Sequence, residues 1–270
     1  MIGVFTNTFI SNKARIHSSM KYAFFLITLS LIIACNTVQK GMIKGNPPAE
    51  GFDAANSDAK AIAIADEVME AMGGRQNYDK TRYIKFNFFG SRVHTWDKET
   101  GDIRIDYLKE DRSILMNIHT MKGQAMLGDT LISADHSRMG ALAQKGKAHW
   151  INDTYWLVMP FKLKDSGVSL KYVGEDMTQA GAKADVLAMT FKKVGLTPDN
   201  KYLVYVDKAS RLVTQWDFYG NATDEAPRFQ IPWDGYAPYG SIKLSGGRGK
   251  YALTDIEVLE VLPAGTLIEF

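Results

Sequence analysis

Hydrophobicity in this chain repeats every second residue, in short bursts, and that period limits the fold more than any other feature. Ile84, Phe86 and Phe88 fall on one side of an extended backbone, with Tyr83, Lys85 and Asn87 on the other. Ile103, Ile105 and Tyr107 alternate with Arg104 and Asp106 in the same way, and Ile114, Met116 and Ile118 alternate with Asn117 and His119. A period of two gives each strand one apolar face. Runs this short, joined by a turn-rich stretch such as Asp97-Lys98-Glu99-Thr100-Gly101-Asp102, read as an antiparallel meander. The pattern resumes after Asp165, over 169–173, 186–193, 202–207 and 212–219, and again near 241–244 and 254–261. The turn over 207–211 makes a hairpin of two of these. A single antiparallel sheet with so many strands has to curl, because twist accumulates from strand to strand. Its concave side then needs a cover.

Two segments depart from the alternation. Ser57-Asp58 is placed to cap a helix whose apolar face is Ile62, Ala65, Val68, Met69 and Met72, with Gly73-Gly74 as the stop. Helical spacing returns between about 135 and 161 in two pieces, 137–147 and 153–159, ended by Pro160. This inserted pair is the expected cover.

The single cysteine stands at the end of an apolar run, Leu31-Ile32-Ile33-Ala34-Cys35, with Lys21 ahead of it. A basic residue, a short apolar segment and a small residue before the cut describe a secretory signal, and Cys35 at the first mature position describes a lipoprotein signal. Residues 1–34 are therefore expected to be a signal peptide and Cys35 the lipidation site. The run is shorter than the roughly 20 residues of a spanning helix. Met20-Lys21 offers a start of its own, so residues 1–19 are expected to be a mis-assigned start. Without residues 1–34 the formal charge changes from +2 to −1, with 29 basic residues against 30 acidic. No basic face is left for nucleic acid. Residues 35–56, small, polar and interrupted by Pro and Gly, read as a lipid-anchored flexible tether, and 57–270 as one domain.

Four stretches carry a resemblance: AIADEVMEAMGGRQNYDKTRYIKFNFFG (63–90), TWDKETGDIRID (95–106), NDTYWLVMPFKLKDSGVSLKYVG (152–174) and TFKKVGLTPDNKYLVYVDKASRLVTQWDFY (190–219). They resemble the outer-membrane lipoprotein-sorting superfamily, the Lol carrier and receptor fold, and within it a group of uncharacterised exported bacterial lipoproteins. The resemblance implies an α+β fold: a strongly curved antiparallel sheet forming an unclosed β-barrel, with an N-terminal helix and an inserted helical lid over an apolar cavity. It also implies a ligand, an acyl chain, a lipoprotein or another amphiphile. Unlike a freely travelling carrier, this chain is expected to keep its own anchor, as a monomer at the outer membrane facing the periplasm. Asn36, where an aspartate would resemble an inner-membrane retention signal, favours that membrane.

No catalytic constellation stands out. The mature histidines His94, His119, His136 and His149 lack metal-ligand spacing, so neither metal nor cofactor is expected. Ser133, Asp135 and His136 lie within four positions of one another without a nucleophile elbow. Asp97, Glu99 and Asp102 read as a solvated hairpin turn, and Gly246-Gly247-Arg248-Gly249 as a loop between strands. What remains is apolar register. Phe86, Phe88, Ile105, Met116, Trp156, Met159, Phe161, Met189, Phe191 and Trp216 are the expected cavity residues, with the three from the inserted helices facing the sheet. Two rivals to amphiphile binding are an interaction or sensing module with a filled core, and a hydrolase.

Overall fold

The computed structural model describes residues 45–192 and 197–270. Cys35 and the expected signal peptide lie outside the described residues. Among the described residues, three α-helices, α1 (Ala59–Ala71), α2 (Arg75–Lys80) and α3 (Met139–Val158), accompany fourteen strands. In chain order these are β1 (Tyr83–Phe88), β2 (Arg92–Asp97), β3 (Asp102–Tyr107), β4 (Arg112–Asn117), β5 (Gly123–Leu127) and β6 (Thr130–Ile132) before α3. After it come β7 (Val168–Met177), β8 (Lys183–Phe191), β9 (Lys201–Asp207), β10 (Val213–Tyr219), β11 (Phe229–Pro232), β12 (Asp234–Tyr239), β13 (Ile242–Arg248) and β14 (Tyr251–Leu259). The fold is α+β and its sheets are antiparallel and unclosed, as expected.

There are two sheets where one was expected. Nine strands run in the order β12-β13-β14-β1-β2-β3-β4-β5-β6, and five in the order β11-β10-β9-β8-β7. The N-terminal strand β1 pairs with the C-terminal strand β14 through a bulge between Lys85 and Asn87. The chain crosses back to the larger sheet at Trp233, fully buried between β11 and β12, whose N–H donates to Thr214 O at 2.9 Å. That crossing leaves β7 and β11 as edges of the smaller sheet, so the strands split into two layers instead of one long curl.

The sheets share one large core. It joins Ile84, Phe86 and Phe88 of β1 to Leu170, Leu187, Met189, Val204 and Trp216 of the smaller sheet. A second cluster, Ile103, Ile105, Ile114 and Met116 with Met139 and Ala143, lies under the first half of α3. The alternation in β1 and β3 is as read, each strand burying every second residue. In β4, Leu115 is buried as well, on the face expected to be polar. Leu267 and Ile268 of the C-terminal segment line a groove with it, held there by Arg104 Nη1 donating to Glu269 O and Gln124 Nε2 to Ile268 O, both at 2.9 Å.

Three local expectations are corrected. The buried stripe of α1 is Ala61, Ile64, Ala65, Val68 and Met69, with Ile62 only half-buried, because the stripe is phased from Ala61. Ser57 and Asp58 precede that helix but do not cap it with their side chains: Asp58 Oδ2 accepts from Tyr172 N at 2.9 Å and Ser57 Oγ from Leu170 N at 3.0 Å, which ties the helix start to β7. The inserted pair is one 20-residue helix, α3. Its stripe passes through Gly146 and Asp153, neither apolar, and both buried. Gly146 is there for space, since a Cβ would come within 2.9 Å of Met116 Sδ.

The second half of the expected tether is docked onto the body. Buried Asn46 donates to buried Asp66 Oδ1 at 2.8 Å, and the Lys164 ammonium binds both that carboxylate and Asn46 O. Ala49 N donates to Lys164 O and Asp53 N to Val168 O. A buried ion pair with both partners hydrogen-bonded fixes the chain from Gly45 onward.

Candidate functional site

The second half of α3 lies against the smaller sheet and leaves a cavity of about 370 Å³ between them. Ile151, Asn152, Tyr155 and Trp156 form its helical side; Phe191, Thr197, Asn200, Tyr202, Trp216, Phe218 and Phe229 form the rest. Register explains the strand side. Phe218 faces Tyr202 across β10 and β9, and Phe229 across β10 and β11, so three rings share one face. Tyr202 stacks on Trp216 at 4.9 Å, and Trp216 meets Trp156 edge-on at 4.8 Å. Burial pushes the Tyr155 phenol up, and the Tyr202 phenol to about 12. Both rings are neutral at physiological pH, and Tyr155 Oη donates weakly to Met189 Sδ at 3.7 Å. A second cavity of about 270 Å³, lined in part by Trp96, Trp150 and Val168, shares Ile151, Tyr155 and Phe191 with the first. Those three residues form the wall between them.

Three of the ten expected cavity residues, Trp156, Phe191 and Trp216, line the first cavity. The other seven are core. Phe86, Phe88, Met159, Phe161 and Met189 pack into the large cluster, and Ile105 and Met116 into the smaller. Phe161 stacks on Tyr78 at 4.1 Å, facing away from the cavity. Alternation identifies a buried face but cannot say which part of it is filled, and here α1 and the first half of α3 fill most of it. Tyr155, Tyr202, Phe229, Asn152, Thr197 and Asn200 were missed. The pairing of Tyr202 with Phe218 was the available signal, and it required the register of the β9–β10 hairpin.

The helix wall is held from the opposite side by charge. Asp153 of α3 is fully buried and receives Arg92 Nε at 2.6 Å and Nη2 at 3.1 Å, His94 Nε2 at 2.7 Å and Asn152 Nδ2 at 2.9 Å. Burial alone would raise this carboxyl; the bonds from His94 and Arg92 outweigh it and hold the pKa below the ordinary value. A carboxylate only accepts, so His94 carries its proton on Nε2. His94 Nδ1 has no hydrogen-bond partner. The pair is therefore half of a triad without a nucleophile, and its carboxylate is committed to Arg92 as well. One turn earlier, Tyr107 Oη and His149 Nδ1 are 2.8 Å apart, and burial together with Arg92 lowers the imidazole pKa.

Arg248 is the third tie. The tetrad Gly246-Gly247-Arg248-Gly249, expected to be a loop, is strand through Arg248. A Cβ at Gly246 would lie 2.6 Å from Leu253 O, so glycine is what lets the neighbouring strand approach. Arg248 is fully buried with no carboxylate on it: Nη2 donates to Trp156 O at 2.5 Å, Nη1 to Ser245 Oγ at 2.8 Å, and the guanidinium lies 3.5 Å from the Trp233 ring centroid. Burial pushes its pKa down to about 9, with the nearby charges of Tyr236 and Asp234 offsetting only part of that. Asp97 is buried and not solvated as expected; its Oδ1 accepts from Glu99 N at 2.9 Å and its Oδ2 pairs with Arg82 at 3.2 Å, which fixes the β2–β3 turn. Among the described residues, no three His, Asp or Glu side chains gather as metal ligands.

Fold and site together define two unclosed antiparallel sheets around a shared core, with an aromatic-lined cavity between α3 and the smaller sheet. No family model and no curated protein matches the chain. It is similar to solved structures at low identity. A DUF1329 family protein from Desulfovibrio piger is 12% identical over 77% of this chain and 96% of its own, with a TM-score of 0.41. A protein described as an outer membrane lipoprotein-sorting domain, from Vibrio parahaemolyticus, is 12% identical over 76% of this chain and 97% of its own, with a TM-score of 0.37. MucB, solved in complex with MucA(peri), is 16% identical over 76% and 66%, with a TM-score of 0.25. The second of these carries the name of the superfamily that the sequence stretches resemble.

Proposed function

We propose that this chain is a lipid-anchored protein of the cell envelope that binds one amphiphile in the cavity beneath α3, without catalysis. The observation that carries the reading is the lining: a partly open space of about 370 Å³ walled by rings and amides, with no charged side chain among its described lining residues. Space of that size accommodates about a dozen methylene-sized groups at about 30 Å³ each. Removing them from water releases roughly 0.8 kcal/mol per CH₂, enough to offset the cost of association. Faces and amides can hold and orient an apolar body, whereas bond-breaking calls for a nucleophile beside a base. The anchor rests on the signal ending at Cys35 and is expected to hold the protein at the outer membrane, facing the periplasm.

Uptake of N-phenyl-1-naphthylamine by the purified chain tests this. One probe should bind per protein, and palmitate or a diacylated lipopeptide should compete with it. Trp156→Ala should weaken uptake at least about tenfold, or by about 1.4 kcal/mol, in a protein that still melts cooperatively. No saturable uptake at micromolar protein would refute the reading and favour an interaction module on the same fold.

A further inference from the structure

The lining is selective in a way that apolarity alone does not require. Among the described residues, seven of the eleven around the cavity are aromatic and Ile151 is the one aliphatic side chain. Methionine, which adapts to a flexible chain, is kept elsewhere: Met116, Met159 and Met189 are all buried in the packed clusters. Three pairs of these rings are near-parallel, while Trp156 with Trp216 and Phe191 with Tyr202 meet edge-on. Tyr202 and Trp216 are inclined by 28°, Phe218 and Phe229 by 24°, and Trp156 and Phe229 by 19°. Trp156, Phe218 and Phe229 are partly buried or exposed, so aromatic surface is left open to the cavity. The polar groups beside them, Asn152, Thr197 and Asn200, are neutral, and Asn200 Nδ2 donates to Thr197 Oγ1 at 2.6 Å.

We infer that the occupant of this cavity is a neutral, rigid, ring-bearing amphiphile, a fused-ring body with one hydroxyl or carbonyl, and not a free fatty acid. The inference rests on the amphiphile-binding reading and narrows it. A fused ring system enters the slot with few torsions left to freeze, whereas an acyl chain gives up freedom along its whole length. Aromatic walls favour offset stacking against a flat face, and dispersion then accrues over that whole face. Among the described lining residues a fatty-acid carboxylate would meet no cation, and would have to stay at the mouth or lose its charge. A hydroxyl or carbonyl finds a hydrogen-bonding group in any of Asn152, Thr197 and Asn200.

Two fluorescent probes separate rings from chains: dehydroergosterol, a neutral four-ring alcohol, and cis-parinaric acid, a linear polyene acid. Titrated into the purified full chain, dehydroergosterol is expected to saturate at one per protein and to bind at least about tenfold more tightly than cis-parinaric acid. Phe229→Leu keeps apolar surface on an edge strand and removes one flat face. It should weaken dehydroergosterol by about fivefold or more while leaving cis-parinaric acid within about twofold, with circular dichroism unchanged. If Phe229→Leu fails to fold, Asn200→Leu replaces it, with loss of the neutral alcohol alone as the expected result. Equal or tighter binding of cis-parinaric acid overturns this inference and leaves amphiphile binding standing. Saturable binding of neither probe, nor of N-phenyl-1-naphthylamine, overturns both.

Discussion

Asp153→Asn keeps the shape of the side chain and tests whether α3 is held to the larger sheet by charge. In the native arrangement Oδ2 accepts from Arg92 Nε and His94 Nε2, and Oδ1 from Arg92 Nη2 and Asn152 Nδ2. An asparagine has one acceptor and one donor, so either orientation sets its NH₂ group against two donors. Removing one partner of a buried pair costs about 3–5 kcal/mol, chiefly because the other is left desolvated. The Arg92 side chain keeps 19% of its exposure and can turn toward water, which places the loss near the lower bound, about 3 kcal/mol. For a body of this size that is a fall in Tm of about 6–12 °C, measurable by calorimetry and by urea unfolding followed through tryptophan fluorescence. Replacing both charges, Arg92→Met with Asp153→Leu, should recover the part of the loss that comes from stranding Arg92, but not the part from His94, whose buried Nε2 still lacks its acceptor. A loss below about 1 kcal/mol in Asp153→Asn would refute the reasoning and show that apolar contacts alone hold the helix.

The remaining predictions concern acid, the N-terminal segment and the anchor. His149 has a folded pKa below its ordinary 6.5, so the unfolded chain takes up that proton first and stability should fall as pH drops below about 6.5; His149→Gln should flatten that part of a Tm-against-pH curve, and an unchanged slope would count against the Tyr107 contact. Asp153, also lowered, contributes stability above its ordinary 3.8 that is lost as pH falls through the lower folded value, a second decline that Asp153→Asn should lessen, with the lowered Asp58, Asp185 and Asp207 supplying the rest. Lys164→Met leaves the Asp66 carboxylate buried without its cation and should cost about 3–5 kcal/mol, with new proteolytic cleavage between Gly45 and Asn56; wild-type resistance there would mean that this segment is held by its backbone bonds. Cys35→Ser should abolish incorporation of labelled fatty acid, and equal labelling of variant and wild type would exclude the anchor.

The strands of the meander were legible because each buries one face against one cluster. Ile84, Phe86 and Phe88 are in register with a core that needs nothing more than period two. Strands β5, β6, β11 and β12 were missed because they carry no such face: Gly123–Leu127 buries only Ala125, and Phe229–Pro232 buries none of its residues fully. The cavity was legible only in part, for a reason of register. Counted back from the turn over 207–211, the hairpin pairs Val213 with Val206, and continuing without interruption would set Lys201 opposite Phe218. A bulge between Val213 and Gln215 shifts the ladder by one residue and brings Tyr202 there instead. One unpaired residue thus decides whether a lysine or an aromatic ring meets Phe218, and no local propensity announces it.

Why there is space beneath α3 follows from how unevenly the helix is attached. Toward the larger sheet it is tied at three levels: His149 to Tyr107 of β3, Asp153 to Arg92 and His94 of β2, and Trp156 O to Arg248 of β13. Each tie is buried or half-buried and has a defined length, so it fixes the height of the helix above that sheet. Toward the smaller sheet the helix offers Tyr155 and Trp156, whose contacts with Tyr202 and Trp216 are ring on ring at 4.8–6.1 Å. Ring contacts tolerate sliding and separation where a charged hydrogen bond does not. The helix therefore sits where the polar ties put it, and the gap on the other side is what the rings leave unfilled. A ligand entering that gap exchanges one set of apolar contacts for another and breaks no ion pair. Lengthening or breaking the ties should change the cavity and not merely the stability: Arg248→Lys, which cannot reproduce the bonds to both Trp156 O and Ser245 O, should lower probe affinity in a protein that still melts cooperatively.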